Sequence, residues 1–166
     1  MKIRGKVWKF GDGISTDHIA PGRLFHLRSN LPELAKHCLE DARPEFVSGV
    51  KPGDFVVGGR NFGQGSSREH AAVVIKMCGV GAVLAKSFAR IFFRNCVNVG
   101  LPVLILDTDR IEEGDELEVD LASGKVANVT RGWEAGTPPL PPAMRTIISD
   151  GGLVEHVKKH GRLKLD

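Results

Sequence analysis

Apolar and polar positions change period several times along the chain, and each change predicts an element. From Arg4 to Phe10, Val7 and Trp8 stand among charged neighbours, the pattern of an opening strand. Gly11-Asp12-Gly13 turns the chain into a polar loop, Ser15-Thr16-Asp17-His18-Ile19-Ala20-Pro21-Gly22, closed by Pro-Gly. Leu34, Ala35, Cys38 and Leu39 then fall on one face of a helix predicted from Leu31 to about Glu40, with Asn30 as N-cap and Pro32 in the first turn. Lys51-Pro52-Gly53-Asp54 makes a turn into a strand from Phe55 to Gly58.

The centre alternates strands and helices, the rhythm of an α/β domain. Ala71, Ala72, Val74, Ile75 and Cys78 give a helix with a broad apolar face, stopped by Gly79. Ala82-Val83-Leu84-Ala85 is apolar without alternation, as expected of a strand covered on both faces, and Val103 to Leu106 reads the same way. Between them Phe88, Ile91 and Phe92 predict a short helical segment. Glu116 to Leu121 alternates cleanly, and Ser123-Gly124 turns it towards Val126 to Val129, a half-exposed hairpin. Four prolines between Gly132 and Pro142 predict an extended crossing segment, and Leu153, Val154 and Val157 mark a last helix with Lys158, Lys159 and His160 near its C-terminal end.

A chain of 166 residues, 42% hydrophobic and 26% charged, is expected to form a single domain, residues 1–166, with a core of its own. The net charge of +3 is spread over scattered lysines and arginines, so no nucleic-acid surface is indicated. No segment has the apolar length of a membrane span, and Met1 to Gly5 do not open a signal peptide. Three widely spaced cysteines, Cys38, Cys78 and Cys96, argue against a disulfide framework or an in-chain four-cysteine metal site and fit a cytoplasmic protein.

The chemistry concentrates in Gly63-Gln64-Gly65-Ser66-Ser67-Arg68-Glu69-His70, between a predicted strand and a predicted helix. Gly63 and Gly65 allow backbone geometry closed to other residues and let a ligand approach the main chain. A helix start favours anions, and Arg68 adds a planar fork suited to a carboxylate. No Gly-Lys-Ser/Thr follows the glycines, which sets this run apart from a Walker A loop. Two readings fit it: an anion site, and a capping box in which Ser66 and Glu69 merely start the helix. Further polar candidates each have a bland alternative. Asp17 and His18 orient one another or a ligand, or decorate a surface turn. Asn61 holds the loop through side-chain-to-backbone hydrogen bonds. Arg28 and Arg90 are added positive charges or solvent-exposed arginines, Arg90 sharing a helix face with Arg94.

The blocks Gly5 to Asp12, Thr16-Asp17-His18-Ile19 with Pro21-Gly22, Asn61 to Ala72, Ala85 to Asn95, and Asn98 to Pro102 together resemble the small subunits of 3-isopropylmalate dehydratase, within the swivelling domains of the aconitase family. The resemblance implies a three-layer β/β/α swivelling domain of the aconitase C-terminal type, where the strand–helix count alone suggests a plain doubly wound sheet. It also implies an aconitase-family large subunit as partner, carrying a 4Fe-4S cluster that acts as Lewis acid on a small di- or tricarboxylate, with no cofactor bound by this chain. Self-association of the isolated subunit is left open. In the implied hydro-lyase reaction, 2-isopropylmalate and 3-isopropylmalate interconvert by dehydration and rehydration, a step of leucine biosynthesis. Ser66 as alkoxide removes a proton from the carbon beside a carboxylate, while Ser67 and Arg68 hold substrate carboxylates; Asp17, His18, Asn61, Gly63, Gly65 and Arg90 support the site. A serine hydroxyl is a poor base, so the alkoxide requires backbone N–H groups, a helix N-terminus, Arg68 and a closed, dry pocket.

Specificity in such a subunit is implied to reside after the first Pro-Gly, here Arg23 to Asn30. Leu27-Arg28 stands where the family pattern places apolar residues for an isopropyl group or an arginine for an extra carboxylate. Arg28 reads a third carboxylate, as in homoaconitate, or points to solvent, and the same region also resembles forms linked to 2,3-dimethylmalate. A stand-alone anion- or RNA-binding module is a third, different class, which the scattered charge and absent RNA motif disfavour.

Overall fold

The structure, a computed structural model, describes residues 1–66 and 68–164. Its organising strand is β1 (Lys2–Lys9), which divides its hydrogen bonding between two partners. Lys2 to Lys6 pair antiparallel with β5 (Glu116–Asp120), whereas Val7, Trp8 and Lys9 pair parallel with β2 (Phe55–Val57). Beyond β2 lie β3 (Ala82–Ala85) and β4 (Val103–Ile105), both parallel. Beyond β5 lie β6 (Lys125–Asn128) and β7 (Trp133–Gly136), both antiparallel. The seven strands form one mixed sheet in the order β4-β3-β2-β1-β5-β6-β7.

Alternation along the short parallel strands divides their side chains between two cores. Val56, Val83, Ala85 and Val103 join a core with the helices α2 (Leu31–Ala35), α4 (His70–Met77), α5 (Arg90–Val99) and α6 (Pro142–Ser149). Phe55, Val57, Ala82, Leu84 and Leu104 join a second core with Leu117, Val119 and Val126 of the antiparallel strands. The sheet curls so that its antiparallel part covers the face that the helices leave open. This makes the β/β/α layering expected from the family resemblance and departs from a doubly wound sheet. It also explains why the inner strands carry no polar alternation: both faces are dry.

The hinge of the curl is tight. A Cβ on Gly5 would lie 2.2 Å from the Gly53 carbonyl oxygen. Asp54, in the turn before β2, accepts hydrogen bonds from Lys6 N, Lys51 N and the Trp8 indole and so locks that turn to β1.

Several elements differ from the sequence expectation. The polar loop after β1 contains α1 (Thr16–Ile19), whose N-cap Ser15 accepts the His18 N–H, and a 3₁₀ segment (Gly22–Ser29) follows it. Helix α2 stops at Ala35 and continues as turns, because Leu39 takes a positive φ of 58° and donates its N–H to Ile19 O. A short α3 (Phe46–Gly49) had no sequence signal beyond Phe46. The proline-rich segment is bounded by β7 and α6. Strand β7 is made by its pairing to β6 rather than by β propensity, and α6 begins at Pro142, where a missing N–H costs nothing. The last helix, α7 (Leu153–His160), stands as expected. Among the described residues, no helix is long and apolar enough to cross a membrane.

Gly5→Ala forces a side chain against backbone at the hinge, so it is expected to destabilise the fold by about 3 kcal/mol. Chemical denaturation of the two proteins measures this.

Candidate active site

The C-terminal ends of parallel strands β1, β2 and β3 open on one edge, the usual place for ligands in an α/β sheet. Their three following loops are stitched together there. Gly63 N donates to Ile14 O at 2.7 Å, and Thr16 N donates to Gln64 O at 2.8 Å, tying the loop after β2 to the loop after β1. Phe62 N donates to Ser87 O at 3.0 Å and Ala89 N to Phe62 O at 3.0 Å, tying it to the loop after β3. Phe62 is buried between the rings of Phe88 and Phe92, 6.0 and 5.5 Å away between centroids. Gly63, at φ 85°, runs so close to Phe92 that a Cβ would lie 2.1 Å from its ring. Asn61 also has a positive φ, 55°, and its N–H, not its side chain, meets Ser87 Oγ at 2.8 Å. The glycine loop is thus a rigid shelf, and the residues after it are presented at its edge.

Ser66 is the first of these. Its N–H donates to Thr16 Oγ1 at 3.1 Å, its Oγ lies 3.2 Å from the same Thr16 oxygen, and Arg68 Nε donates to the Oγ at 2.5 Å. Arg68 Nη2 donates to Asp17 Oδ1 at 2.5 Å. Ser66, Arg68 and Asp17 therefore meet across α1 and the glycine loop, joined through a buried threonine that the sequence reading did not single out. Ser67 lies outside the described residues.

The capping-box reading of Ser66 and Glu69 is not supported: α4 begins at His70, with Glu69 in the cap position and no side-chain cap bond. Ser66 stands apart from the helix start, so the helix N-terminus is not the group that holds its hydroxyl. Asp17 and His18 do not orient one another either. His18 Nδ1 accepts the Ser15 N–H at 2.9 Å and closes the α1 capping box, which leaves the proton of a neutral ring on Nε2.

Arg28 comes to the same end of the molecule. Its guanidinium stacks on Phe25 at 4.3 Å, and that of Arg68 lies 5.6 Å from the same ring. The His70 ring is 6.3 Å from Phe25. Burial, then the charges of Arg68 and Arg28, hold the His70 imidazole below its ordinary pKa. Phe25 and His70 lie within the specificity stretch and the serine run of the sequence but were given no role of their own there; the packing of the 3₁₀ segment against α4 brings them together. Arg90 directly follows Ala89, whose N–H is bonded to Phe62 O of the glycine loop, and among the described residues it makes no hydrogen bond or ion pair with Ser66, Arg68 or Asp17. It is exposed at the start of α5 and lines a cavity of about 540 Å³ with Phe93, Arg94, Ile105 and Met144, which includes none of the Ser66 group.

Among the described residues, the cysteines form no three-sulfur group. Cys38 and Cys96 are buried, which pushes their thiols well up, and Cys78 contacts Cys38 at the end of α4. Among the described residues, one His/Asp cluster has metal-like proximity: Asp150, His156 and His160. It is already satisfied. His156 Nδ1 meets Asp150 at 2.7 Å, its Nε2 accepts Lys164 N at 2.9 Å, and Lys159 and His160 take the rest of the carboxylate. Of the basic residues at the end of α7, Lys159 and His160 thus serve Asp150, whereas Lys158 pairs with Glu155 at 3.5 Å.

The fold and this edge define an aconitase-type swivelling domain: the aconitase C-terminal domain family matches residues 41–108. The chain is 63% identical over 165 residues to 3-isopropylmalate dehydratase small subunit 2 of Archaeoglobus fulgidus, covering 99% of this chain and 100% of that protein. It is 53% identical to the methanogen homoaconitase small subunit of Methanothermobacter thermautotrophicus, covering 95% and 91%. The crystal structure of 3-isopropylmalate dehydratase LeuD from Methanocaldococcus jannaschii superposes with a TM-score of 0.92 at 43% identity, over 97% of this chain and 96% of that one. The chain belongs to the 3-isopropylmalate dehydratase small-subunit family.

The Asp150 cluster has a testable consequence. Hydrogen bonds from His156 and Lys159 hold the carboxyl at about 2, below its ordinary 3.8. A carboxylate depressed in the folded state stabilises it above pH 3.8, and that contribution is lost as pH falls towards about 2. Asp150→Asn is expected to flatten the acid limb of a stability–pH curve within that window and to lower stability at neutral pH, both measured by thermal unfolding.

Proposed function

We propose that this chain is the serine-bearing small subunit of a two-subunit hydro-lyase that isomerises 2-isopropylmalate and 3-isopropylmalate, with Ser66 as the base. The observation that carries the reading is the Ser66 hydroxyl, gripped by Arg68 Nε at 2.5 Å in a chain of this family. A guanidinium donor at that distance favours the deprotonated oxygen, the form needed to take a proton from the carbon beside a carboxylate.

Arg68 divides its work. Its Nε serves Ser66, while its outer nitrogen meets Asp17, whose side chain is 66% exposed. The Arg68 side chain is 22% exposed, so the pair meets water on its carboxylate side, where a substrate carboxylate competes with Asp17 for the same nitrogen. Ser67 is proposed beside it as a second carboxylate contact, and Asp17 as the group that keeps Arg68 oriented until substrate arrives. Gly63 and Gly65 hold the loop. The chain's cysteines do not make a cluster-binding set, so the 4Fe-4S cluster that the family implies is assigned to the large subunit. There it supplies Lewis-acid polarisation of the substrate hydroxyl. The large subunit also excludes water from a site that in this chain alone is an open edge, so the isolated chain is expected to be inert.

One observation favours a second reading for the substrate. Arg28 and Arg68 flank the same Phe25 ring, so a ligand held by Arg68 has a second guanidinium within reach for an extra carboxylate, as in homoaconitate. 2,3-Dimethylmalate, with its shorter apolar branch, is the third candidate.

In the enzyme reconstituted anaerobically with its large subunit, Ser66→Ala is expected to lower kcat by roughly 10³-fold or more while leaving assembly intact. A fully active Ser66→Ala enzyme would falsify the base assignment. Arg28→Ala is expected to lower kcat/KM for homoaconitate by roughly 10- to 100-fold and to spare isopropylmalate, if Arg28 reads the third carboxylate. An equal effect on both substrates contradicts that role.

A further inference from the structure

A serine base requires more than one donor on its oxygen, and the structure offers a second one inside the protein. Thr16 is 2% exposed and begins α1. Its backbone is fixed: its N–H donates to Gln64 O at 2.8 Å, and its C=O accepts the Ala20 N–H at 2.8 Å. Its hydroxyl faces Ser66 twice, accepting the Ser66 N–H at 3.1 Å and lying 3.2 Å from the Ser66 Oγ. A Cβ on Gly65 would lie 3.1 Å from the same oxygen, so the absence of a side chain there leaves room for the contact.

The hydrogen-bond inventory fixes one direction outright and the other once Ser66 has lost its proton. Arg68 Nε–H can only donate, so the Ser66 Oγ receives that bond. Between the two hydroxyls either oxygen can be the donor while Ser66 keeps its proton. Once deprotonated, the Ser66 Oγ can only accept, and the Thr16 hydroxyl, whose oxygen accepts the Ser66 N–H, has its proton to give. With Arg68 and Thr16 both donating, the deprotonated Ser66 oxygen is held by two hydrogen bonds and keeps a lone pair for the substrate proton.

We propose that Thr16 is a positioning residue for Ser66: its hydroxyl donates to the Oγ, and together with Arg68 it stabilises the oxygen as it loses its proton. This rests on the assignment of Ser66 as base. It deepens that assignment by replacing the helix N-terminus, which lies beyond Glu69, with a buried side-chain hydroxyl. Thr16 does not touch substrate, so its effect belongs on kcat and on the pH dependence, not on KM.

The test uses the reconstituted two-subunit enzyme with isopropylmalate, homoaconitate or 2,3-dimethylmalate, whichever it turns over. Thr16→Val keeps the volume and removes the hydroxyl. It is expected to lower kcat by roughly 10- to 100-fold, the worth of one hydrogen bond to a charged oxygen, with KM changed by no more than about threefold. The rising limb of the kcat/KM–pH profile should move to higher pH. Thr16→Ala, which removes the hydroxyl without setting a methyl group against Ser66, should do the same, and Thr16→Ser should return most of the rate. Should Thr16→Val fold poorly by thermal unfolding, the comparison of Ala with Ser carries the result. Thr16→Val or Thr16→Ala with wild-type rate and pH profile, beside an inactive Ser66→Ala, overturns the role of Thr16 and leaves Ser66 as base. Thr16→Ser as impaired as Thr16→Val overturns it too, since packing rather than the hydroxyl would then matter. An active Ser66→Ala instead removes the assignment on which the proposal stands.

Discussion

Everything at the functional edge follows from one strand serving two partners. Because β1 gives its first half to β5 and its last three residues to β2, the sheet must bend between them. The bend brings Leu117, Val119 and Val126 over the face that carries Phe55, Val57 and Leu84, and it leaves the other face to the helices. Hydrophobic burial on both faces then holds β1, β2 and β3 parallel with their C-terminal ends level, so that their loops meet. The contact that permits the bend is small: Gly5 lies against the Gly53 carbonyl where no side chain fits.

On that scaffold the site is built by hydrogen bonds between loops rather than within one. Thr16 comes from the loop after β1, Ser66 and Arg68 from the loop after β2, and the support under the glycines from Phe88 and Phe92 after β3. Two positive side chains, Arg68 and Arg28, share one aromatic ring, and the exposed carboxylate of Asp17 pairs with Arg68. The balance is tipped towards binding anions. The depressed basicity of His70 in the same place has the same origin, a partly buried imidazole beside two guanidinium groups.

Much of this was legible in the sequence, and the limits have physical causes. The inner strands stood out because burial on both faces removes polar alternation, and Asn30 named its helix start by accepting the Glu33 N–H. Strand β7 was hidden because Trp133-Glu134-Ala135-Gly136 has little strand preference of its own; its pairing with β6 makes it a strand. In the site, the Ser-Ser-Arg-Glu run drew attention by composition, but its spacing also matched a capping box, and local sequence cannot separate a serine that caps a helix from one held by a residue fifty positions earlier. Thr16, Phe25 and His70 lay inside segments the sequence marked, but their individual roles were hidden for the same reason. Their meaning lies in contacts between segments distant in the chain.

The central claim is that this chain supplies the base to a site completed by another polypeptide. Its most direct test is an anaerobic titration of the chain into a fixed amount of cluster-loaded large subunit, following isopropylmalate turnover. Neither protein alone should turn over substrate, and the rate should rise with added chain until it saturates. Turnover by the chain alone, or by the large subunit at an undiminished rate without it, would contradict the claim.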